Sequence, residues 1–272
     1  MALRIAVITD IHYGFDTGAK KGAQAPKLVE EFIDAAHQFG ADYIFNLGDK
    51  VSSQNPIVDE QFKKSLRAQF KRAACPVIEI DGNHDVRFQA AQSPSTQLIT
   101  HGYHIIQWNP YLNRYTREGV IVDDSDIQWL RNELASAQKP VVLLSHIPFG
   151  GPESVRKKWK NAHSQELYYP SYFKDSHELR GIIESSGKVM FCLSGHRHLN
   201  HHKENNGVHY LIHQSLVEVV EGDKPAGAYS MIEIDGQEVR IHGYGLKQPR
   251  LRILNPAAIN NNASSPPAAL RP

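Results

Sequence analysis

Five short apolar runs in this chain end in the same manner. LRIAVIT at 3–9 leads into Asp10 and His12, and DYIFNL at 42–47 leads into Asp49. VIEI at 77–80 is followed by Asn83, His84 and Asp85; PVVLLSH at 140–146 closes on His146; KVMFCLSG at 188–195 delivers His196 and His198. A run that is apolar at successive positions fits a strand of a sheet covered on both faces. Each of these strands terminates in an oxygen or imidazole donor, and that coupling of strand to donor restricts the fold more than any other property of the sequence.

The stretches between the runs carry helical spacing. Residues 24–39 place Leu28, Phe32, Ile33, Ala36 and Phe39 on one face before Gly40, and residues 58–72 do the same with Val58, Phe62, Leu66 and Phe70. A strand is expected at 118–122, then a helix at 125–136 with Ser125 placed to cap it, and a further helix at 176–186. From 207 onward the pattern is β only: VHYLIHQS, AYSMIEI, a turn at Asp235–Gly236, and EVRIHGY, the last two reading as a hairpin. Alternating β and α followed by β argues for sheets flanked by helices. In such folds ligands collect at the carboxyl ends of strands.

Taken singly, the strand-end motifs are ordinary. Asp-x-His is common as a solvated loop pair, Gly-Asp is a frequent turn, and Asn-His-Asp readily bonds its own backbone. Gly-His-x-His says more, because residues i and i+2 of an extended segment share a face. Together they are harder to assign to coincidence. Asp10, His12, Asp49, Asn83, His146, His196 and His198 follow apolar strands in sequence order, and one metal centre accounts for all of them. Seven donors exceed what a single first-row ion takes, and a carboxylate can bridge two. Mixed imidazole and carboxylate ligands suit Mn, Fe or Zn better than an all-oxygen calcium cage. Two such ions about 3.5–4 Å apart produce a hydroxide near neutral pH that attacks phosphorus in line, and they neutralise the charge that develops.

Composition is compatible with this reading. The chain has 272 residues, ample for a buried core, a formal net charge of +1, and 15 histidines. Near-neutrality argues against a broad nucleic-acid-binding surface. Cys75 and Cys192 lie in or beside apolar strands and read as buried thiols rather than a disulfide, as in a reducing compartment. MALRIAVITD lacks a signal-peptide core, and no apolar run approaches the roughly 18–20 residues of a membrane span. The expectation is a soluble, cytoplasmic protein with one domain over 1–254 and a disordered tail over 255–272 rich in Pro, Ala, Asn and Ser.

The ordered set D-x-H at 10–12, G-D at 48–49, G-N-H-D at 82–85, S-H-x-P at 145–148 and G-H-x-H at 195–198 resembles the calcineurin-like metallophosphoesterase superfamily. The resemblance spans residue 3 to about residue 242. It implies an α/β fold of the four-layer α/β/β/α sandwich type with a dinuclear site at one edge. It also implies two divalent or trivalent transition-metal ions. One would be held by Asp10, His12, Asp49 and His198, the other by Asp49, Asn83, His146 and His196, with Asp49 bridging. His84 would then be a general acid or electrostatic clamp on the phosphate, and Asp85 would orient and charge it.

Departures from the superfamily's patterns narrow the reading. Phosphoprotein phosphatases carry G-D-x-x-D-R-G and G-N-H-E, whereas this chain reads GDKVSSQ and GNHD and lacks that arginine. Ser52 stands where purple acid phosphatases place a tyrosine. The chain looks most like the class III cyclic nucleotide phosphodiesterases and related glycerophosphodiesterases. That implies hydrolysis of small phosphodiesters, with no membrane and no nucleic acid polymer as partner and a homo-oligomer left open. The alternatives weighed are a phosphomonoesterase of small metabolites, a DNA nuclease of the same superfamily, and a protein-binding scaffold that has lost catalysis. Complete ligands and His84 speak against the scaffold.

Residues 149–175 are the expected lid. Arg156, Lys157, Lys158 and Lys160 surround Trp159, and Tyr168, Tyr169, Tyr172 and Phe173 follow, as substrate contacts or as residues packing the loop down. Lys50 is expected to face either substrate or solvent. His201 and His202 are assigned to the rim or to water, and His104, His209, His213 and His242 to ordinary strand positions.

Overall fold

The computed structural model describes residues 2–89, 92–114, 116, 118–150 and 171–254, and the backbone of 158–160 and 166–168. The tail at 255–272, together with Arg156, Lys157 and Tyr169 of the expected lid, lies outside the described residues.

The sheet strands in chain order are β1 (Leu3–Ile8), β2 (Tyr43–Asn46), β3 (Val77–Glu79), β4 (Thr96–Thr100), β5 (Tyr103–Gln107), β6 (Val141–Leu144), β7 (Val189–Ser194), β8 (His201–Asn205), β9 (Val208–Ile212), β10 (Tyr229–Ile234), β11 (Glu238–Tyr244) and β12 (Arg250–Leu254). The longer helices are α1 (Ala25–Phe39), α2 (Pro56–Phe70), α3 (Asp124–Ser136) and α4 (Ser176–Ser185), and a single helical turn covers Asn83–Val86. One six-stranded sheet has the order β12-β11-β10-β1-β2-β3 and the other β8-β9-β7-β6-β5-β4. β1, β2 and β3 are parallel, as are β5, β6, β7 and β9, so the donor-bearing strand ends of each sheet lie along one edge.

Three apolar layers explain why these strands read as unbroken apolar runs. Leu3, Ile5, Val7 and Phe45 meet Ile105, Val142, Leu144 and Phe191 between the sheets. Ala6, Ile8 and Ile44 point the other way, onto Val29, Phe32, Ile33 and Ala36 of α1 and Leu66 and Phe70 of α2. On the far side, Ile106, Val141 and Leu143 pack on Leu130 and Leu134 of α3 and Leu179 and Ile183 of α4. Burying each such side chain contributes roughly 1.5–3 kcal/mol before entropy is counted. The result is the expected four-layer α/β/β/α arrangement. α2 begins where Asn55 accepts from Ile57 N at 2.9 Å and Val58 N at 3.2 Å. Both cysteines are free thiols.

Some elements differ from the sequence reading. Residues 118–122 form no strand: Val120 makes a single bridge to Phe173, with its N–H on the Tyr172 carbonyl at 2.9 Å. Its apolar character serves the core under α3 and α4 instead. Ser125 lies inside the first turn of α3, which starts from Asp123 without a side-chain cap. The hairpin β4–β5 and the edge strands β8 and β12 carried no strong signal. TQLIT is largely exposed, and RLRIL alternates charge with apolar side chains, as edges commonly do. The hairpin turn is as expected, with Asp235 Oδ1 accepting from Gln237 N and Glu238 N at 2.8 and 2.7 Å. Among the described residues no helix is long and apolar enough to cross a membrane.

Candidate metal centre

The loops leaving β1, β2 and β3 are tied to one another. Asp10 N donates to the Gly48 carbonyl at 3.0 Å, His12 N to the Asp49 carbonyl at 2.9 Å, and His84 N to Asp49 Oδ1 at 2.8 Å. From the other sheet, His146 follows β6 and His196 and His198 follow β7. His196 N donates to Asp10 Oδ2 at 2.9 Å, which joins the two sheets at this edge.

The donors converge in two groups. Asp10, His12, Asp49 and His198 form one, and Asp49, His146 and His196 the other, with Asp49 common to both. In the first, His198 Nε2 lies 3.0 Å from Asp10 Oδ1 and 3.0 Å from His12 Nε2, and His12 Nε2 lies 3.7 Å from Asp10 Oδ1 and 3.6 Å from Asp49 Oδ2. In the second, His146 Nε2 lies 3.4 Å from the same Asp49 oxygen and 3.2 Å from Asn83 Oδ1. One oxygen of Asp49 thus faces both groups while the other holds the turn of His84.

These residues fit a metal pair. An ion about 2.0–2.2 Å from tetrahedral donors sets those donors about 3.3–3.6 Å apart, close to the spacings found. Asp10 and Asp49 are fully buried, and the charged groups within ion-pair distance of both are imidazoles. His12 Nδ1 is buried with no hydrogen-bond partner, while its Nε2 faces the cluster.

The electrostatics point the same way. Burial alone would raise the Asp49 carboxyl, yet His146, His84 and His12 outweigh it and hold it well below the usual range. Burial lowers His146, but Asp49 and Asp10 push it up to about 9. His12 is driven well down by burial and by the ammonium of Lys20. His84 is lowered, chiefly by burial, with Lys20 adding to it and Asp49 opposing. Buried carboxylates that hold protons on His146 and His198 in this way are ones that a cation would satisfy, with those protons released.

Backbone conformation marks the same residues. Asp10 (φ 50°), His12 (φ 44°), Asp49 (φ 53°), His196 (φ 66°) and His198 (φ 51°) are all left-handed, a region uncommon outside glycine. Such strain collects at sites where the surrounding structure overrides it. Two glycines make room for the carboxylates. A Cβ on Gly82 would come within 2.1 Å of Asp49 Oδ1, and one on Gly195 within 2.4 Å of Asp10 Oδ2.

His84 stacks edge-on against His12 at 4.8 Å, and its Nδ1 lies 2.7 Å from Ser53 Oγ and 3.1 Å from the Ser52 carbonyl. Asp85 does not orient it. The Asp85 carboxylate accepts from Lys50 N at 3.0 Å and Gly82 N at 2.9 Å, so it fastens the turn rather than the ring. Lys50 is turned inward: its ammonium lies 3.0 Å from Asp81 Oδ1, 3.1 Å from the Ile80 carbonyl and 3.4 Å from Asp85 Oδ2.

In the expected lid, residues 158–160 and 166–168 pair as an antiparallel hairpin. Phe173 is a core residue, packed on Trp108 and Phe149. Tyr172 lies under the guanidinium of Arg197, 4.8 Å from the ring centre, and so braces the loop of His196 and His198. His202 stacks on His209 at 5.2 Å, and neither it nor His201 joins a donor group among the described residues. Three residues near the site escaped the sequence reading. Ser53 touches His84, Lys20 acts on three of the imidazoles, and Glu218 bonds His198 Nδ1 at 2.6 Å. Lys20 and Glu218 lie in no recognisable motif, Ser53 lies within GDKVSSQ without a mark of its role, and only the fold brings them in.

The family model of calcineurin-like phosphoesterases matches residues 3–200 of this chain. A probable cyclic nucleotide phosphodiesterase of Synechococcus sp. is 26% identical over 206 residues, which is 73% of this chain and 74% of that protein. The crystal structure of a dimetal phosphatase from Danio rerio is similar with a TM-score of 0.74 at 13% identity, covering 93% of this chain and 99% of that one. A purple acid phosphatase from yellow lupin (Lupinus luteus) seeds has a TM-score of 0.59 at 11% identity, covering 90% of this chain and 52% of that one. At these identities the structural likeness speaks to the fold.

Proposed function

The chain belongs to the calcineurin-like phosphoesterase family, and on that premise we propose that it hydrolyses small phosphodiesters, cyclic nucleotides or glycerophosphodiesters among them, with a pair of transition-metal ions. The observation that carries the reading is the convergence of two donor groups on a shared Asp49, with His84 against them. Asp10, His12, Asp49 and His198 would hold one ion, and Asp49, Asn83, His146 and His196 the other, from the group Mn, Fe and Zn. When bound, such a pair supplies a nucleophile at neutral pH and neutralises charge on the phosphoryl oxygens.

The chain's own groups do the rest. Burial and Lys20 hold His84 below its ordinary pKa, so at neutral pH it acts as a neutral ring. With the proton on Nε2, Nδ1 accepts from the Ser53 hydroxyl, and Nε2–H serves as a hydrogen-bond donor to a phosphoryl oxygen; protonating the leaving oxygen takes the imidazolium form. In the imidazolium form, Nδ1–H has the Ser52 carbonyl to donate to, so both states of the acid have a partner. Asp85 and Lys50 fix the turn that presents Asn83 and His84. A monoester dianion needs one more cation than a diester. The stretch GDKVSSQ offers none, because Lys50 is neutralised by Asp81 and Asp85. Lys20 does place a positive charge near the site's imidazoles, so it is the resemblance to the Synechococcus protein that favours the diester.

The test is hydrolysis of bis-p-nitrophenyl phosphate beside p-nitrophenyl phosphate, with metal-stripped protein and again after Mn²⁺ is restored. Metal-dependent diester cleavage, lost in Asn83→Ala and Asp49→Ala, is expected. Monoester turnover far above diester turnover would make the protein a phosphatase. No activity with Mn²⁺, Fe²⁺ or Zn²⁺ would refute hydrolysis of simple esters.

A further inference from the structure

The imidazoles of the metal centre are not backed alike. His146 Nδ1 donates to the Leu47 carbonyl at 2.7 Å, a fixed backbone acceptor. His12 Nδ1 is buried without a partner. His198 alone among these three has a carboxylate behind it: Nδ1 lies 2.6 Å from Glu218 Oε2, while Nε2 faces Asp10 Oδ1 at 3.0 Å. An ionised carboxylate only accepts, so it keeps the proton on Nδ1 and leaves the Nε2 lone pair for a ligand.

Glu218 is itself held in place. Its N–H donates to Ser215 Oγ at 3.3 Å, and that hydroxyl donates to the Asp10 carbonyl at 2.8 Å. Its carbonyl accepts from Ala226 N at 2.8 Å, and it forms an antiparallel bridge with Lys20. Cross-strand partners share a face, so the bridge sets Lys20 beside Glu218, where its charge is felt by His12 and His84. The Glu218 side chain is 16% exposed and belongs to none of the apolar clusters, so packing does not explain its position.

We propose that Glu218 is a positioning residue for the metal subsite of Asp10, His12, Asp49 and His198, fixing His198 as an Nε2 donor and strengthening it as a ligand. The proposal rests on the dinuclear reading given above. A carboxylate behind a ligating imidazole raises its basicity, and removing such a partner typically lowers metal affinity about 10–100-fold. The partner subsite, whose His146 is backed by main chain, does not depend on it.

The experiment is a calorimetric titration of the metal-free protein with Mn²⁺, and separately with Zn²⁺, at fixed pH. Wild type, Glu218→Gln, Glu218→Asp and His198→Ala are compared, and thermal melts of each metal-free protein are recorded. His198→Ala identifies which binding step belongs to this subsite. In Glu218→Gln that step is expected to weaken about tenfold or more, with the other step within twofold and the metal-free melt unchanged. Glu218→Asp, which keeps the charge but withdraws it, should fall between. Both steps unchanged in Glu218→Gln would overturn the proposal alone. Both steps weakened equally, or a lost metal-free fold, would replace it with a structural role. Wild-type protein that binds no metal would overturn the dinuclear reading and this proposal together.

Discussion

Replacing Lys50 by methionine tests how the turn of Asn83 and His84 is held. The Lys50 ammonium is almost enclosed, with a side-chain exposure of 14%, and its partners Asp81 and Asp85 are 11% and 1% exposed. Burial works against its charge, but Asp85 and Asp81 more than compensate and raise its pKa; Asp81 is in turn held down to about 2. Removing one member of a buried ion pair costs about 3–5 kcal/mol, because the other charge is left without compensation. Asp85 would keep its two backbone donors, Lys50 N and Gly82 N, which places the expected loss at the lower end, about 3 kcal/mol. That is a large part of the 5–15 kcal/mol by which a typical domain is stable. The assay is urea unfolding of metal-free wild type, Lys50→Met, Asp85→Asn and the double variant at one pH. The double variant should recover about 2 kcal/mol relative to the sum of the singles, since it removes the more deeply buried of the two stranded carboxylates, Asp85, and leaves only Asp81 without its partner. A loss below about 1 kcal/mol in Lys50→Met, or strict additivity in the cycle, would refute the argument.

Other consequences are equally direct. Gly82→Ala should abolish metal binding at both steps by calorimetry, because the new Cβ would occupy space 2.1 Å from Asp49 Oδ1 and 2.4 Å from Asp49 N. Asn83→Ala removes the oxygen 3.2 Å from His146 Nε2, so metal analysis should find the ion of that subsite lost and the other kept. His213 is buried and its pKa is pushed down to about 4 by burial alone. The unfolded chain takes up that proton near pH 6.5, so stability is full above pH 6.5 and falls by about 1.4 kcal/mol per pH unit below it. The loss levels off below pH 4 at about 3 kcal/mol. Urea unfolding of His213→Asn from pH 7 to 4 should lack that component, and curves parallel to wild type would contradict it.

The layers and the strand-end side chains that converge at one edge were legible because each rests on a local signal. Runs apolar on both faces announce covered strands, and Asp, His or Asn at a strand end is visible one residue at a time. What could not be read depends on distant contacts. Val120 looks like a strand residue but fills the core beside Phe173. Lys50 looks like a substrate cation until Asp81, 31 residues away, is brought to it. Asp85 looks like the partner of His84, yet the turn directs its oxygens to backbone N–H groups and leaves the ring to Ser52 and Ser53. Glu218 stands in no motif and meets His198 only because the segment after β9 folds back over the site.

The donors come from both sheets: Asp10, His12, Asp49 and Asn83 from one, His146, His196 and His198 from the other. Ions bound among them would therefore be a cross-brace as well as a reagent, reinforcing the edge where His196 N already meets Asp10 Oδ2 and Leu216 N the Thr9 carbonyl. A ligand that binds only the folded form stabilises it in proportion to the logarithm of its concentration over its dissociation constant. Loading would protect the amides of the strand-end loops against hydrogen exchange more than those of the sheet centres, which the apolar layers already secure. Loss of metal in the cell would then do two things together, switching off chemistry and loosening one edge of the molecule to proteolysis.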